Sequence, residues 1–321
     1  MWKSLVLFGG MAASCLSASA QDFFPETTLD NGQIKARFYL PDAEKGYYRA
    51  ARFDWSGVIA DLTYGGHTYF GKWFEKYDPH LHDAISGPVE EFTPIGYETA
   101  QPGETFLKIG VGMLRKKDQS AYRFFAPFEN TNGGTWTTKV HRNRIVFVHE
   151  LSDSQGYGYR YEKTVRLRKN KLILSHRLKN TGTKPLETTV YDHNFLVLDG
   201  QITGPDTRVT FPFRLEPEAS TTPRGLGTLA QLDGNQWTYL RPLVKGESTH
   251  SYLSGFGKSA ADYHIRAENR QIGVEIRGNK PLVRLVYWSI PTVFSPEPYI
   301  AVRANPGKTD TWTLEYTFFT R

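Results

Sequence analysis

The segment EKTVRLRKNKLILSHRLKNTGTKPL, residues 162–186, decides the fold class. Apolar and polar residues alternate on both sides of the pair Asn170-Lys171, as in two antiparallel strands joined by a tight turn. The alternating apolar positions are Val165, Leu167, Leu172, Leu174 and Leu178. His176 falls on the same face, and we expect it to be a packing residue. The segment therefore predicts a β-hairpin with one buried face.

The rest of the chain has the same character. Its 29 glycines, 18 prolines and 14% aromatic residues, with hardly any long segment of helical period, predict an all-β protein. The spacing favours antiparallel sheets packed face to face over βαβ units, which need helices of about 10–15 residues. A short helix is expected near 258–262. Further strands are predicted at 34–40, 57–63, 107–114, 144–150, 208–214, 272–276, 281–288 and 311–319.

The first 20 residues have the pattern of a secretory signal peptide. Lys3 precedes an apolar run from Leu5 to Leu16, and small residues at 18–20 stand before Gln21. Neither this run nor any later stretch reaches the roughly 18 apolar residues of a membrane helix. We therefore expect an exported protein, periplasmic or extracellular, without a membrane span. With no linker or repeat after the signal, residues 21–321 are predicted to form one domain.

Cys15, the only cysteine, lies inside the predicted signal peptide. A mature chain that starts at Gln21 has no thiol and forms no disulfide. Lipid attachment at Cys15 is an alternative, although Ala12 stands where a lipoprotein signal usually carries leucine. A chain of about 300 residues buries about 75% of its unfolded surface, so its core can hold the fold without disulfides.

The charge pattern argues against a nucleic-acid partner. The 39 Lys plus Arg against 33 Asp plus Glu give a formal charge of +6, with both signs scattered along the chain. A nucleic-acid footprint is concentrated on one face, whereas the longest basic cluster, RLRKNK at 166–171, fits a solvated hairpin rim.

The stretch TTVYDHNFLVLDG, residues 188–200, carries an ionisable ring within a predicted strand. Because side chains alternate, His193 shares a face with Tyr191 and Phe195, and its direct neighbours point the other way. A histidine in an aromatic strand is most simply a core residue with one hydrogen bond. The functional alternative is a proton donor.

Two stretches offer carboxylates for chemistry. In FSPEP, residues 294–298, Glu297 stands between two prolines that restrict the backbone, which suits a positioned base, although an exposed turn glutamate would look the same. In GPVEEF, residues 87–92, Glu90 and Glu91 point to opposite faces if the chain is extended. At most one of them can therefore reach a given cleft.

Metal and nucleotide motifs have little support. In DPHLHD, residues 78–83, His80 and His82 with Asp78 could hold zinc or iron, but the proline and the acidic residues favour a loop that binds polar ligands. HExxH, GxSxG, P-loop and GxGxxG patterns are absent. We expect neither a metal nor another cofactor.

The stretch LRKNKLILSHRLKNTGTKPLETTVYDHNFLVLDG, residues 167–200, resembles the aldose 1-epimerase (galactose mutarotase) superfamily. There a basic hairpin and a turn lead to a strand with the catalytic histidine, and His193 stands at that place. SPEPYIAVRANPGKTDTWTLEYTF, residues 295–318, resembles the superfamily's C-terminal pattern, in which Glu297 matches the catalytic base. The resemblance covers about the C-terminal half of the chain.

The resemblance implies a β-supersandwich with an open carbohydrate cleft and interconversion of α and β sugar anomers. In that reaction Glu297 would be the base and His193 the acid, because side-chain pKa values of about 4.3 and 6.5 allow opposite protonation states near neutrality. Two alternatives stay open on the same fold. One is a protein that binds carbohydrate without catalysis, and the other is a polysaccharide lyase that uses His193 with Tyr191 to remove a proton beside a uronate carboxylate.

A sugar or oligosaccharide ligand would also need aromatic platforms and polar partners. Trp55, Trp73 and Trp288 are candidates for the platforms, with core packing as the alternative for each. Arg52 and Asp54 flank Phe53 on one face of a predicted strand, so they could instead pair with each other. The polar candidates are Arg52, Asp54, His82, Glu90 and Glu91.

Overall fold

The computed structural model describes residues 23–321, in which strands pair antiparallel and helix is almost absent. The predicted signal peptide and Cys15 lie outside the described residues. The strands are β1 (Glu26–Asp30), β2 (Ile34–Tyr39), β3 (Val58–Tyr64), β4 (His67–Phe70), β5 (Val89–Phe92), β6 (Thr105–Lys108), β7 (Gly112–Arg115), β8 (Asn130–Asn132), β9 (Thr135–His141), β10 (Arg144–Ser152), β11 (Gly158–Arg168), β12 (Lys171–Asn180), β13 (Leu186–His193), β14 (Arg208–Thr210), β15 (Glu216–Pro217), β16 (Ala230–Asp233), β17 (Gln236–Tyr239), β18 (Thr249–Ser254), β19 (His264–Glu268), β20 (Ile272–Gly278), β21 (Leu282–Ile290), β22 (Val293–Ala304) and β23 (Thr309–Thr320).

Two large sheets carry the fold. The ten-stranded sheet has the order β16-β17-β14-β19-β20-β23-β12-β11-β10-β9, and the six-stranded sheet has the order β15-β18-β21-β22-β13-β5. Strands β1 to β4 form a four-stranded sheet, and β6 to β8 form a three-stranded sheet. The predicted all-β, antiparallel class is confirmed.

The two large sheets pack face to face across one apolar core. Because side chains alternate along each strand, every second residue of a strand points into this layer. The ten-stranded sheet contributes Leu174, Ile276 and Leu314, and the six-stranded sheet contributes Val190, Leu285 and Ile300. A hydrogen bond from the Tyr316 hydroxyl to Asn194 Oδ1, 2.9 Å long, also crosses between the sheets.

The hairpin of residues 162–186 forms as predicted, but its turn lies one residue earlier. Arg168 pairs with Lys171, so the loop is Lys169-Asn170, and Lys169 adopts a φ of 52°. This register places Leu167 opposite Leu172. A turn at Asn170-Lys171 would instead have set the charged Lys169 opposite Leu172, so apolar pairing on the buried face decides the register.

Three other elements differ from their predicted bounds. The strand expected at 107–114 is a hairpin of β6 and β7, because the chain reverses at Gly110, whose φ is +76°. The strand expected at 208–214 ends at Thr210, two residues before Pro212, which lacks a backbone donor. The helix expected near 258–262 is a single 3₁₀ turn, Ala260–Asp262, capped by Ser259.

Within residues 23–321, no helix has the length and apolar character needed to cross a lipid bilayer.

Candidate functional site

A cavity of about 520 Å³ lies on the face of the six-stranded sheet that points away from the ten-stranded sheet. Strand β13 contributes Tyr191 and His193, β22 contributes Glu297, β5 contributes Glu91, and β21 contributes Trp288. With His250 and Tyr252 of β18, the cavity therefore collects side chains from five neighbouring strands of one sheet.

His193 and Glu297 meet in the wall of this cavity. The Nε2 atom of His193 lies 3.2 Å from Oε1 of Glu297, and only 5% and 8% of the two side chains are exposed. The imidazole stacks on the Phe195 ring, with centroids 3.6 Å apart, and meets Trp288 edge to face. These rings fix the orientation of the imidazole and shield the pair from water.

Burial favours the uncharged form of both groups. It lowers the pKa of His193 well below its usual range, and the nearby Arg52 guanidinium acts in the same direction. It raises the pKa of Glu297 to about 8, against the opposing effect of Arg52 and with the help of Glu91. At neutral pH the pair is therefore uncharged, with a proton on the carboxyl group of Glu297.

The position of Glu297 follows from the prolines on either side of it in β22. Strand β22 pairs with β13 only as far as Tyr191 opposite Tyr299, because proline has no backbone N–H to continue the ladder. Beyond that point the side-chain amide of Asn194 donates to the carbonyl of Pro296 at 2.6 Å. The interrupted ladder lies where His193 and Glu297 meet.

Arg52, Glu91 and Tyr191 form a buried cluster next to the pair. Arg52 Nε donates to Glu91 at 2.7 Å, the Tyr191 hydroxyl donates to the same carboxylate at 2.7 Å, and Lys108 Nζ lies 3.1 Å from it. Burial alone would raise the pKa of Glu91, but Lys108 and Arg52 outweigh it and hold the pKa at about 2. Arg52 also lies over the Phe124 ring, 4.1 Å from its centroid.

Asp54 does not line the cavity and does not pair with Arg52. Residues 50–56 form no strand, so the two side chains do not share a strand face as predicted. Asp54 accepts hydrogen bonds from the Ser56 and Tyr161 hydroxyls, at 2.7 and 3.1 Å. Burial raises its pKa to about 7, with Lys163 opposing and Glu90 adding to the shift.

Glu90 points to the interior between the sheets and also does not line the cavity. The predicted alternation places it opposite to Glu91 on β5, and it pairs there with Lys163 and with His176 Nε2 at 2.6 Å. Although burial raises its pKa, Lys163 and the hydrogen bond to His176 bring the pKa down to about 2. His176 packs on Trp312, as expected, but it is also a member of this charged network.

The aromatic and loop candidates divide between two cavities. His82, Trp73 and Trp288 line the cavity of the His193–Glu297 pair, whereas Trp55 lines a different cavity and donates from Nε1 to the Ala50 carbonyl. His80 and His82 lie in a loop. In the part of the chain that the structure describes, no three His, Asp or Glu side chains come together as metal ligands.

Several cavity residues were not predicted from the sequence. Tyr122, His250, Arg284 and Tyr299 line the cavity, and Lys108, which binds Glu91 and Tyr122, does not line it. Tyr299 could have been found, because it stands two residues from Glu297 on the same strand face. Lys108 and Tyr122 come from β6 and a loop, and no local pattern connects them to β13.

The chain matched no family model and no curated protein, but it resembles solved structures over nearly its full length. A GalM/aldose epimerase homologue from C. elegans is 14% identical, with 93% of this chain and 99% of that chain covered and a TM-score of 0.57. A galactose mutarotase-like protein from Clostridium acetobutylicum is 12% identical, with 92% and 95% covered and a TM-score of 0.56.

A galactose mutarotase-like protein from Lactobacillus casei is also 12% identical, with 92% of this chain and 100% of that chain covered and a TM-score of 0.52. At such identities the likeness concerns the fold. The predicted galactose mutarotase-like β-supersandwich is thus confirmed.

Proposed function

We propose that this protein interconverts the α and β anomers of an aldose, with Glu297 and His193 as its acid–base pair. The observation that carries the proposal is the 3.2 Å contact between His193 Nε2 and Glu297 Oε1 in one cavity wall. Mutarotation moves protons at the anomeric hydroxyl and at the ring oxygen, and both oxygens are bonded to the same carbon. The groups that serve them must therefore lie side by side.

The reaction needs a pair that holds one transferable proton, in addition to the ring proton that a neutral imidazole keeps. In ring opening, ionised Glu297 takes the proton of the anomeric hydroxyl while protonated His193 gives its proton to the ring oxygen and the bond between C1 and that oxygen breaks. The pair is then neutral, with the proton on Glu297. After rotation about C1–C2, the reverse transfers close the ring on the other face.

The pKa directions support this cycle. Burial lowers the pKa of His193 and raises that of Glu297 to about 8, so the ligand-free pair has the protonation state that follows ring opening. This state can close an open-chain aldehyde directly. A proton transfer across the 3.2 Å contact produces the other state, which opens the ring.

The surroundings of the pair suit a small polar ring. A cavity of about 520 Å³ lies in the range of ~300–1,000 Å³ that small-ligand sites occupy. Trp73 and Trp288 offer aromatic faces, and the cluster of Arg52, Glu91 and Tyr191 offers donors and acceptors for hydroxyl groups. The signal-like residues 1–20 support action on sugars outside the cytoplasm.

The lyase alternative has weaker support. A uronate lyase needs a cation that is free to neutralise the substrate carboxylate. Arg52 is already paired with Glu91 at 2.7 Å, so of the two arginines that line the cavity only Arg284 could serve. Burial raises the pKa of Tyr191 far above its usual range, and its hydroxyl donates to Glu91, so it is poorly suited to remove a proton.

Polarimetry of freshly dissolved α-anomers of glucose, galactose, mannose and xylose tests the proposal. We expect the wild-type protein to accelerate mutarotation of at least one sugar, and His193→Ala and Glu297→Gln each to lose about 10²- to 10⁴-fold in rate. Glu187→Gln is the matched control, because Glu187 lies on β13 with an exposed side chain.

The proposal fails if both variants keep the wild-type rate. Sugar binding without any acceleration by the wild-type protein would instead identify a carbohydrate-binding protein. Growth of an unsaturated-product absorbance on uronate polymers would identify a lyase.

A further inference from the structure

Two further cavities lie next to the cavity of the His193–Glu297 pair. A second cavity of about 320 Å³ shares His82 and Phe124 with it. A third, of about 700 Å³, shares Arg49 and Phe128 with the second. The second and third cavities together form what we call the aromatic groove, which is lined by Arg49, Phe124, Phe125, Phe128, Asn130 and Trp136. The shared side chains place the groove directly beside the cavity of the His193–Glu297 pair.

Large apolar rings are exposed along this groove. Phe124 and Phe125 are 41% and 50% exposed, and their rings stand perpendicular with centroids 5.3 Å apart. Phe128 and Trp136 are partly buried further along. Clustered exposed rings are unusual on a soluble surface and mark binding sites. The C–H faces of sugar rings pack against such aromatic faces, and several rings in a row fit several sugar units.

Hydrogen-bonding groups without partners accompany the rings. His82 Nδ1, Arg49 Nε and Trp136 Nε1 are buried and have no hydrogen-bond partner in the protein. An unpaired buried polar group is costly, so such groups call for a partner from outside the chain. All three nitrogen atoms are shielded from solvent, so ligand hydroxyl groups, which both donate and accept, reach them only when the side chains move on binding.

The charges of the groove favour a neutral ligand. Asp42 supplies the carboxylate and Arg49 the guanidinium that line the third cavity. Backbone N–H groups of Lys45 and Glu44 lower the pKa of Asp42, so that it stays ionised. Apart from His80, the ionisable residues of the third cavity are one acid and one base, so their charges cancel. The third cavity therefore lacks the excess positive charge that would hold a polyuronate.

We propose that the aromatic groove binds the neutral sugar units of an oligosaccharide whose reducing end occupies the cavity of His193 and Glu297. The inference rests on the proposed function for the identity of the end that enters the cavity. The substrate class is then the reducing end of a neutral chain, and a free monosaccharide uses only part of the site.

Calorimetric titration with cello-, malto-, manno- and xylo-oligosaccharides of one to five units tests the groove. In at least one series we expect the wild-type affinity to rise about tenfold or more between one and four units. Trp136→Ala and Phe125→Ala should each remove this gain and leave monosaccharide affinity and mutarotation unchanged. Phe125 is half exposed, so we expect Phe125→Ala to fold normally. It keeps the test valid even where Trp136→Ala destabilises the protein.

Val140→Ala is the matched control, because Val140 is an apolar residue of β9, 49% exposed, that does not line the groove. The inference is overturned if affinity is independent of length in all four series, or if the gain persists in both groove variants as it does in the control. Length-independent binding with normal monosaccharide mutarotation would overturn the groove alone. A length-dependent gain that needs Trp136, without any mutarotation, would support the groove and overturn the proposed function.

Discussion

At the scale of single residues, the central feature is a carboxyl group and an imidazole buried in contact. Their surroundings are mostly aromatic, so the charged form of each is disfavoured. A group whose pKa is strongly shifted by burial, next to a specific partner and in a cavity, is typical of catalytic sites. The same burial has a cost in stability that can be measured without any substrate.

The Glu297→Gln variant should be more stable than the wild-type protein, and the difference should grow with pH. The folded-state pKa of Glu297 is about 8, against 4.5 in the ordinary case, so folding favours its protonated form. The stabilisation from this group is complete below pH 4.5 and is lost as the pH rises through 8. Glutamine carries no such dependence, so we expect an advantage on the order of a few kcal/mol near pH 8.

Urea unfolding at pH 5 and pH 8 measures this difference, with Glu187→Gln as the exposed control on β13. A Glu297→Gln advantage that is equal at both pH values would contradict the raised pKa. A Glu297→Gln variant whose stability falls relative to the wild-type protein as the pH rises would contradict the raised pKa more strongly.

Some of these residues could be identified from the sequence and others could not. Glu297 and His193 were paired by the resemblance, because the prolines around Glu297 also fit an exposed turn and a histidine in an aromatic strand also fits a core residue. Lys108 was not, since its role depends on Glu91 from a distant strand. The prediction that Asp54 shares a strand face with Arg52 is wrong, because side chains alternate only in extended segments and residues 50–56 form no strand.

At the scale of elements, strand β5 joins the site to the core. Glu91 faces the cavity, and Glu90 faces Lys163 on β11 and His176 on β12. Because β5 belongs to the six-stranded sheet and the other two strands to the ten-stranded sheet, this charged network connects the sheets. A buried ion pair of this kind is costly to break, since the remaining partner keeps an uncompensated charge.

Lys163→Met should therefore lower the free energy of unfolding by about 3–5 kcal/mol. Lys171→Met is the matched control, because Lys171 pairs with Glu315 at the surface with 37% of its side chain exposed. We expect the control to lose at most about 1 kcal/mol in urea unfolding. Equal losses in Lys163→Met and Lys171→Met would contradict a dominant role for the buried pair. A Lys163→Met/Glu90→Gln double variant should be more stable than Lys163→Met, and the absence of this gain would also contradict that role.

The elements were largely predictable where one face of a strand is apolar. The hairpin of β11 and β12 and the strand β10 follow their alternation closely. The segment 107–114 was read as one strand because its apolar residues continue through the turn at Gly110. Local patterns indicate which residues are extended but not where two glycines allow the chain to reverse.

At the scale of the whole molecule, the sheet order joins distant parts of the chain. The C-terminal strand β23 lies between β20 and β12 in the middle of the ten-stranded sheet, and β22 lies between β21 and β13 in the other sheet. No periodicity in the sequence specifies such neighbours, because two of these contacts, β23 with β12 and β22 with β13, join segments more than a hundred residues apart. The class of fold was therefore predictable from local patterns, and the strand order was not.

We expect the two large sheets to unfold together. They share one apolar core, to which Trp237 and Trp312 contribute from the ten-stranded sheet and Tyr287 from the six-stranded sheet. Urea transitions followed by tryptophan fluorescence and by far-ultraviolet circular dichroism should therefore have the same midpoint. Midpoints that differ beyond their error would show that the two sheets are separate cooperative units.

The two glutamates of β5 have a consequence for mutational libraries of this protein. They are adjacent in the chain, yet Glu90 points into the layer between the two large sheets and Glu91 points to the cavity that we propose as a sugar site. Selection for expression would act mainly on codon 90, and selection for ligand preference mainly on codon 91. A library that randomises both codons together would mix these effects, whereas randomising each codon alone would separate variants that fail to accumulate from variants that accept a new compound.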